Sequence, residues 1–266
     1  MIAAIDLGPR ELSLAAILIL LNAGVSMALR LRMERSLLLA GLRAVLQLSV
    51  LGLVLEWVFD TGRWQLVLAL TVAMAVMAGF EAVRRTTHRV PGGWMVGVSV
   101  MVVGSMTVTF YATAAVLRIE PWYAPQYLVP IMGMVLGNTL NGISLGLETS
   151  LAGFRSEREQ VEMLLAHGAT RAEASRDVVH RAVRMGLLPV VNMLIAAGLI
   201  SIPGMMTGQI LAGESPLSAA RYQIFILFII AGGTAAGTLT IVLLSARLVF
   251  DDRDRLRADR IRRLKE

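Results

Sequence analysis

Seven apolar runs, at residues 12–29, 36–58, 64–82, 94–117, 127–149, 187–206 and 222–248, take up most of the chain and leave little room for any other kind of structure. A helix needs about 20 mostly apolar residues to cross a hydrocarbon core ~30 Å thick, and each run is of that order. The composition agrees. The chain is 56% hydrophobic and 17% charged, with a mean hydropathy of +0.68, whereas a soluble domain carries about 25% charged residues. The expected fold class is all-α: a polytopic membrane protein with about seven transmembrane helices, forming one transmembrane domain over residues 1–266 with no separate soluble domain.

Arginine sets the expected orientation. The alternating loops 30–35, 83–90, 153–185 and 247–266 hold 20 of the 25 basic residues; Arg10, Arg63, Arg118 and Arg221 lie in the other set and Arg43 within a span. Basic loops stay in the cytoplasm, so the N-terminus is expected outside and the C-terminus inside, in a plasma membrane or the inner membrane of a Gram-negative cell. The start "MIAAIDLGPRE" lacks the basic region of a signal peptide, so the first run is expected to be a retained helix. Trp57, Trp64, Trp94 and Trp122 fall at run ends, where amphipathic rings favour the interface. The basic tail "RLVFDDRDRLRADRIRRLKE" reads as a solvated topology determinant that touches anionic lipid.

Several chemistries are excluded by residue type. There is no cysteine, hence no disulfide, thiolate metal site or cysteine nucleophile. Lys265 is the only lysine, at the penultimate position, so no nucleotide-binding P-loop can form and the chain is not expected to hydrolyse ATP. His88, His167 and His180 lie in loops and no Asp falls within a span core, which leaves a membrane protease without its catalytic groups.

The longest loop, 153–185, is polar yet helical in pattern. Ser156 with Glu159 and Thr170 with Glu173 both fit a capping box, and Gly168 stops the first of two short helices. In the second, Ser175, Val178, Val179, Ala182 and Val183 form one stripe, opposite Glu173, Arg176, Asp177, His180, Arg181 and Arg184. A compact amphipathic hairpin is expected. Pinned at both ends to spans, it is ill suited to reading DNA, and no nucleic-acid partner is expected. Two readings remain: a structural hairpin lying on headgroups, and a docking element for a cytoplasmic protein whose displacement moves the adjoining helix.

"EMLLAHGAT" (162–170) resembles the coupling loop of ABC-transporter permeases, in which a Glu is followed six residues later by a Gly, as Glu162 and Gly168 are here; the Leu-Pro of that pattern falls at Leu188-Pro189. "LGNTLNGISLGLE" (136–148), "EREQVEMLLAHGATRAEA" (157–174) and "SIPGMMTGQILAGESPLSAARYQ" (201–223) resemble the iron-export permease family, the FetB-like proteins, whose plant relatives are linked to aluminium tolerance. The likeness runs from about residue 120 to the end; the first hundred residues share hydropathy. The resemblance implies a permease subunit of an ABC-type exporter, homodimeric, with Glu162, Leu165, Gly168, Thr170 and Glu173 on the surface that meets a separate ATP-binding subunit. It implies export of metal ions, iron among them, and no cofactor on this chain, ATP and Mg being held by the partner. An ATP-independent channel or carrier and a non-transporting scaffold are the alternatives.

A charge near mid-membrane costs roughly 2.5–3.5 kcal/mol, so each polar group in a span needs a partner or a purpose. Arg43 and Gln47 lie a turn apart in the second run; Asn138 and Asn141 lie in the fifth, with Glu148 near its end. These are candidates for the substrate path, with helix packing as the plain alternative and Glu148 as one possible partner of Arg43. Four Gly-x-x-x-Gly pairs, 93/97, 133/137, 142/146 and 233/237, permit close helix approach within the chain or across a dimer. In "SIPGMMTGQ", Pro203-Gly204 is expected to break the sixth helix, leaving Met205, Met206, Thr207 and Gln209 on an irregular segment facing a cavity. Thioethers suit soft metals such as Cu(I), whereas ferrous iron looks for imidazole and carboxylate. Packing is therefore the ordinary role of both methionines.

Overall fold

The computed structural model describes residues 8–263, so Lys265 lies outside them. Among the described residues seven helices are long and apolar enough to span a membrane. They are α1 (Pro9–Ala28), α2 (Glu34–Thr61), α3 (Trp64–Arg84), α4 (Gly93–Phe110, continued by a π-helical segment Tyr111–Val116), α5 (Pro125–Ser156), α8 (Arg176–Ala196) and α10 (Pro216–Val249). Between them lie short helices α6 (Arg158–Ala166), α7 (Arg171–Ala174) and α9 (Gly204–Leu211), and two two-residue strands, β1 (His88–Arg89) and β2 (Arg262–Arg263). The predicted all-α membrane class is what the chain adopts.

The helices fall into two compact units. One comprises α1 and α2, up to Arg63, with Leu211–Glu214. Here α1 and α2 form a hairpin whose turn is held by Ser26, whose hydroxyl donates to Glu34 (3.2 Å) and accepts from the Met33 amide (3.0 Å).

The other unit begins at Trp64, and its hub is α5, which packs against α3, α4, α8 and α10. Lipid tails are as apolar as leucine, so helices in a bilayer associate by close packing rather than by escape from water. Small residues therefore mark the seams. A Cβ on Gly142 would lie 2.5 Å from the Thr238 hydroxyl of α10, and one on Gly186 of α8 would lie 2.7 Å from the Gly142 carbonyl. Gly97 would meet Val83 at 2.4 Å and Gly237 would meet Thr139 at 2.7 Å. Three of the four Gly-x-x-x-Gly pairs thus serve packing inside this unit. The fourth does not: Gly133 has only Met74 at 3.7 Å and Gly137 nothing within 4 Å.

The sixth span differs from its expected limits. It begins at Arg176 and ends at Ala196, not at 187 and 206. Its early start is amphipathic: Val178 and Ala182 are buried while Arg176, Asp177, His180, Arg181 and Arg184 are exposed, so average hydropathy undervalues a turn that is helical all the same. Its early end comes from Gly198, whose φ of +83° and amide bond to the Ser201 carbonyl (2.9 Å) turn the chain before Pro203 is reached.

Candidate functional site

Helix α5 has 32 residues and α10 has 34, which at 1.5 Å per residue is about 48 Å and 51 Å, longer than a ~30 Å hydrocarbon core. Their ends therefore project, and with the start of α8 they carry a polar platform built from α6, α7 and the C-terminal segment.

The platform hairpin is fixed by its caps. At the end of α6 the Gly168 amide bonds the Leu165 carbonyl (3.0 Å) and the Ala169 amide bonds the Leu164 carbonyl (3.1 Å), with Gly168 at φ +88°. This is a Schellman stop, which needs the left-handed conformation that glycine adopts without strain. Two residues on, the capping box at Thr170 forms as expected: the Glu173 amide donates to the Thr170 hydroxyl (3.3 Å) and the Thr170 amide to the Glu173 carboxylate (2.8 Å). That amide, followed by the Thr170 hydroxyl, holds the Glu173 carboxyl below the usual carboxylate range. The box expected at Ser156 does not form. Helix α5 continues through Ser156, whose hydroxyl donates to the Gly153 carbonyl (3.3 Å), and Glu157 takes the N-cap position of α6. Glu157 instead pairs with Arg181 of α8, bracing the hairpin against the span.

Of the residues placed on the coupling surface, Glu162 is half-exposed and paired with Arg158 (2.7 Å), and Leu165 packs against the core. Beside them the C-terminal segment folds back, which corrects the reading of the tail as solvated. Phe250, Leu256 and Ile261 are buried, Phe250 standing edge-on to Phe154 at 5.9 Å. Asp251 accepts from the amides of Arg255 and Arg253 (both 2.9 Å), which hold its carboxyl low, and Asp254 pairs with Arg171 (2.9 Å). The Ile261 carbonyl accepts from Arg155 (3.2 Å), and β2 pairs antiparallel with β1, His88 opposite Arg263. Spaced apolar residues, Phe250, Leu256 and Ile261, were the signal for this fold-back; the surrounding arginines masked it. Between α6 and the folded tail runs a groove of about 600 Å³, with Glu162, Leu165 and Ala169 on one side and Arg253, Arg255 and Leu256 on the other.

On α5 the candidate path residues Glu148, Asn141 and Asn138 are taken up by local hydrogen bonds. Glu148 accepts from the Thr87 amide (2.8 Å) and hydroxyl (2.6 Å), from the His88 amide (3.1 Å), and pairs with His88 Nδ1 (2.7 Å). Its oxygens are occupied within its own unit. Arg43 and Gln47 sit exposed on α2, in the other unit, and no hydrogen bond or ion pair holds Arg43 among the described residues. Asn141 accepts from Arg85 (3.2 Å), and Ser144 donates to the Ala82 carbonyl (2.9 Å). Asn141, Ser144 and Glu148 thus form a polar seam along one face of α5 that ties down residues 82–88, a structural job that the sequence reading missed for Arg85, Thr87, His88 and Ser144. Asn138 turns back to the Met134 carbonyl (2.9 Å). Met205, Met206 and Gln209 lie on helical α9, not on an irregular segment, and Met205 packs against a core of Val190 and Ile226. Gln209 keeps a buried side-chain oxygen without a partner among the described residues. Among the described residues no group of three or more His, Cys, Asp or Glu is placed to hold a metal ion.

Seven apolar helices among the described residues, five of them packed together through glycine seams and topped by a capped polar hairpin, define a multi-pass membrane protein. The chain belongs to the uncharacterised protein family UPF0014, which it matches over residues 9–250. It is similar to the UPF0014 membrane protein slr1647 of Synechocystis, 36% identical over 85% of this chain and 87% of that one. It is 31% identical to the protein ALUMINUM SENSITIVE 3 of Arabidopsis thaliana, over 85% and 81%, and 28% identical to the probable iron export permease protein FetB of Escherichia coli, over 92% and 93%. The family resemblance read from the sequence is therefore shown. No solved structure matches the chain significantly.

Proposed function

We propose that this chain is the membrane-spanning permease subunit of an ABC-type exporter, working as a homodimer, driven by a separate ATP-hydrolysing subunit seated on α6 and α7, and carrying metal ions. The observation that carries the reading is the construction of the platform. A hairpin stopped by Gly168, restarted by Thr170 and braced by Glu157 to Arg181 is stiff, and α8 leads from it through the membrane without a break. Displacement at such a hairpin moves a whole span, which is what a nucleotide-biased two-state element requires. Export of iron is supported by the likeness to the probable iron export permease protein FetB of Escherichia coli.

Co-purification with candidate ATPase subunits tests the partner. Wild type is expected to retain one; Glu162→Arg, which reverses the half-exposed charge, and Gly168→Pro, which removes the amide donor of the Schellman stop, are expected to lose it while still inserting in the membrane. Metal-resolved flux in proteoliposomes then tests the cargo. Transport that needs both subunits and ATP supports the reading; full-rate transport by this chain alone makes it an ATP-independent carrier.

A further inference from the structure

A second groove, of about 440 Å³, opens between the start of α8 and the end of α10. Its walls are divided by chemistry. Arg171, Arg176 and Arg247 supply the cationic lining, with His180 beside them, and Leu243, Ala246 and Phe250 the apolar floor. Arg171 is paired with Asp254, but Arg176, His180 and Arg247 have no hydrogen-bond or ion-pair partner among the described residues, and no carboxylate lines the groove. Exposed unpaired guanidiniums around an apolar floor are a recognition pattern for an amphiphilic anion: planar donors chelate phosphate oxygens, and the floor accepts hydrocarbon. The position fits as well, because the groove lies where two spanning helices pass from apolar to charged sequence, the depth at which a leaflet presents its phosphates.

We infer that this groove binds the phosphodiester headgroup of an anionic phospholipid, with Arg176 and Arg247 on the phosphate and the first methylenes of the glycerol side against Leu243 and Phe250. The binding measurement uses this chain alone, without the ATPase partner, so the site stands or falls separately from the transport reading. A free phosphate shares the headgroup chemistry but leaves the floor uncovered. Only a lipid fills both halves.

The full chain in phosphatidylcholine nanodiscs carrying a minor fraction of spin-labelled phosphatidylglycerol gives the test. Motionally restricted label should exceed that of spin-labelled phosphatidylcholine in matched discs. Arg176→Gln and Arg247→Gln should each lower the relative affinity about tenfold, the scale of one charge-assisted contact. Both arginines are exposed and unpaired among the described residues, so neither change breaks a hydrogen bond or ion pair within the chain. Arg184→Gln removes the same charge from an exposed position of α8 outside the groove, and should leave the restricted fraction unchanged. Equal restriction of both lipids, or an equal loss in Arg184→Gln, overturns the site in favour of diffuse surface attraction. Displacement of the labelled lipid by millimolar inorganic phosphate overturns the lipid assignment and leaves a phosphate site.

Discussion

At Gly186 a single methyl group has nowhere to go: its Cβ would lie 2.5 Å from Thr238 Cγ2 and 2.7 Å from the Gly142 carbonyl oxygen. The nearer obstacles include backbone, which cannot swing aside, so Gly186→Ala should cost at least the 1–3 kcal/mol, roughly, of ordinary overpacking. Gly137→Ala is the matched contrast, with nothing within 4 Å and about 1 kcal/mol of helix propensity to gain. Thermal melts of the two variants in one detergent should move in opposite directions; a shared direction would mean that the glycine seam is not what limits stability. Glu148 makes a second residue-scale case. Glu148→Gln places an amide N–H₂ among groups that already donate, at a cost of about 1–3 kcal/mol, and hydrogen exchange at the His88 amide should quicken while the rest of α5 stays protected. Neither role was legible from residue type alone. Glycine pairs announce close approach without saying against what, and a lone carboxylate on a span does not reveal that backbone amides 60 residues away will meet it.

Helices α6 and α7 are short, so their ends decide whether they form. Gly168→Ala is expected to cost about 1–2 kcal/mol through the left-handed backbone alone, since a Cβ there meets nothing. The Thr170 capping box adds a pH dependence whose sign is fixed. Glu173 titrates below its value in the unfolded chain, about 4.3, so its contribution is complete above that pH and disappears as pH falls through the lower folded value. Hydrogen-exchange protection at the Thr170 amide, which donates to that carboxylate, should fall in that acidic window in wild type and lose this extra pH dependence in Glu173→Gln. A capping box and its stop glycine are local, and so the sequence displayed this element well. It displayed the Ser156 boundary badly because α5 is held by tertiary packing, with Leu151 and Phe154 buried, and that packing carries the helix past a good local start signal.

Across the whole molecule, hydropathy located six of the seven spans closely and displaced the one whose first turns are amphipathic. The C-terminal segment was hidden for a related reason. A run dominated by arginine reads as solvent-borne even when three well-spaced apolar residues anchor it. The chain has no cysteine, so a pair introduced at Arg89→Cys and Arg262→Cys, directly opposite across β1 and β2, has no competitor. Antiparallel partners sit about 4.5–5.5 Å apart at Cα, within reach of a disulfide. Mild oxidation should cross-link the full-length chain rapidly, seen as a shift in gel mobility after cleavage between the two sites. Failure to cross-link would return the tail to solution.

The tight meeting of Gly186 with Gly142 falls midway along α8, ten residues from Arg176 and ten from Ala196, or about 15 Å to either side. Backbones that close cannot slide past one another, but they can tilt. The contact therefore acts as a fulcrum: when the platform end of α8 swings toward the bundle axis, the opposite end must swing away by a comparable distance, so one end narrows as the other widens.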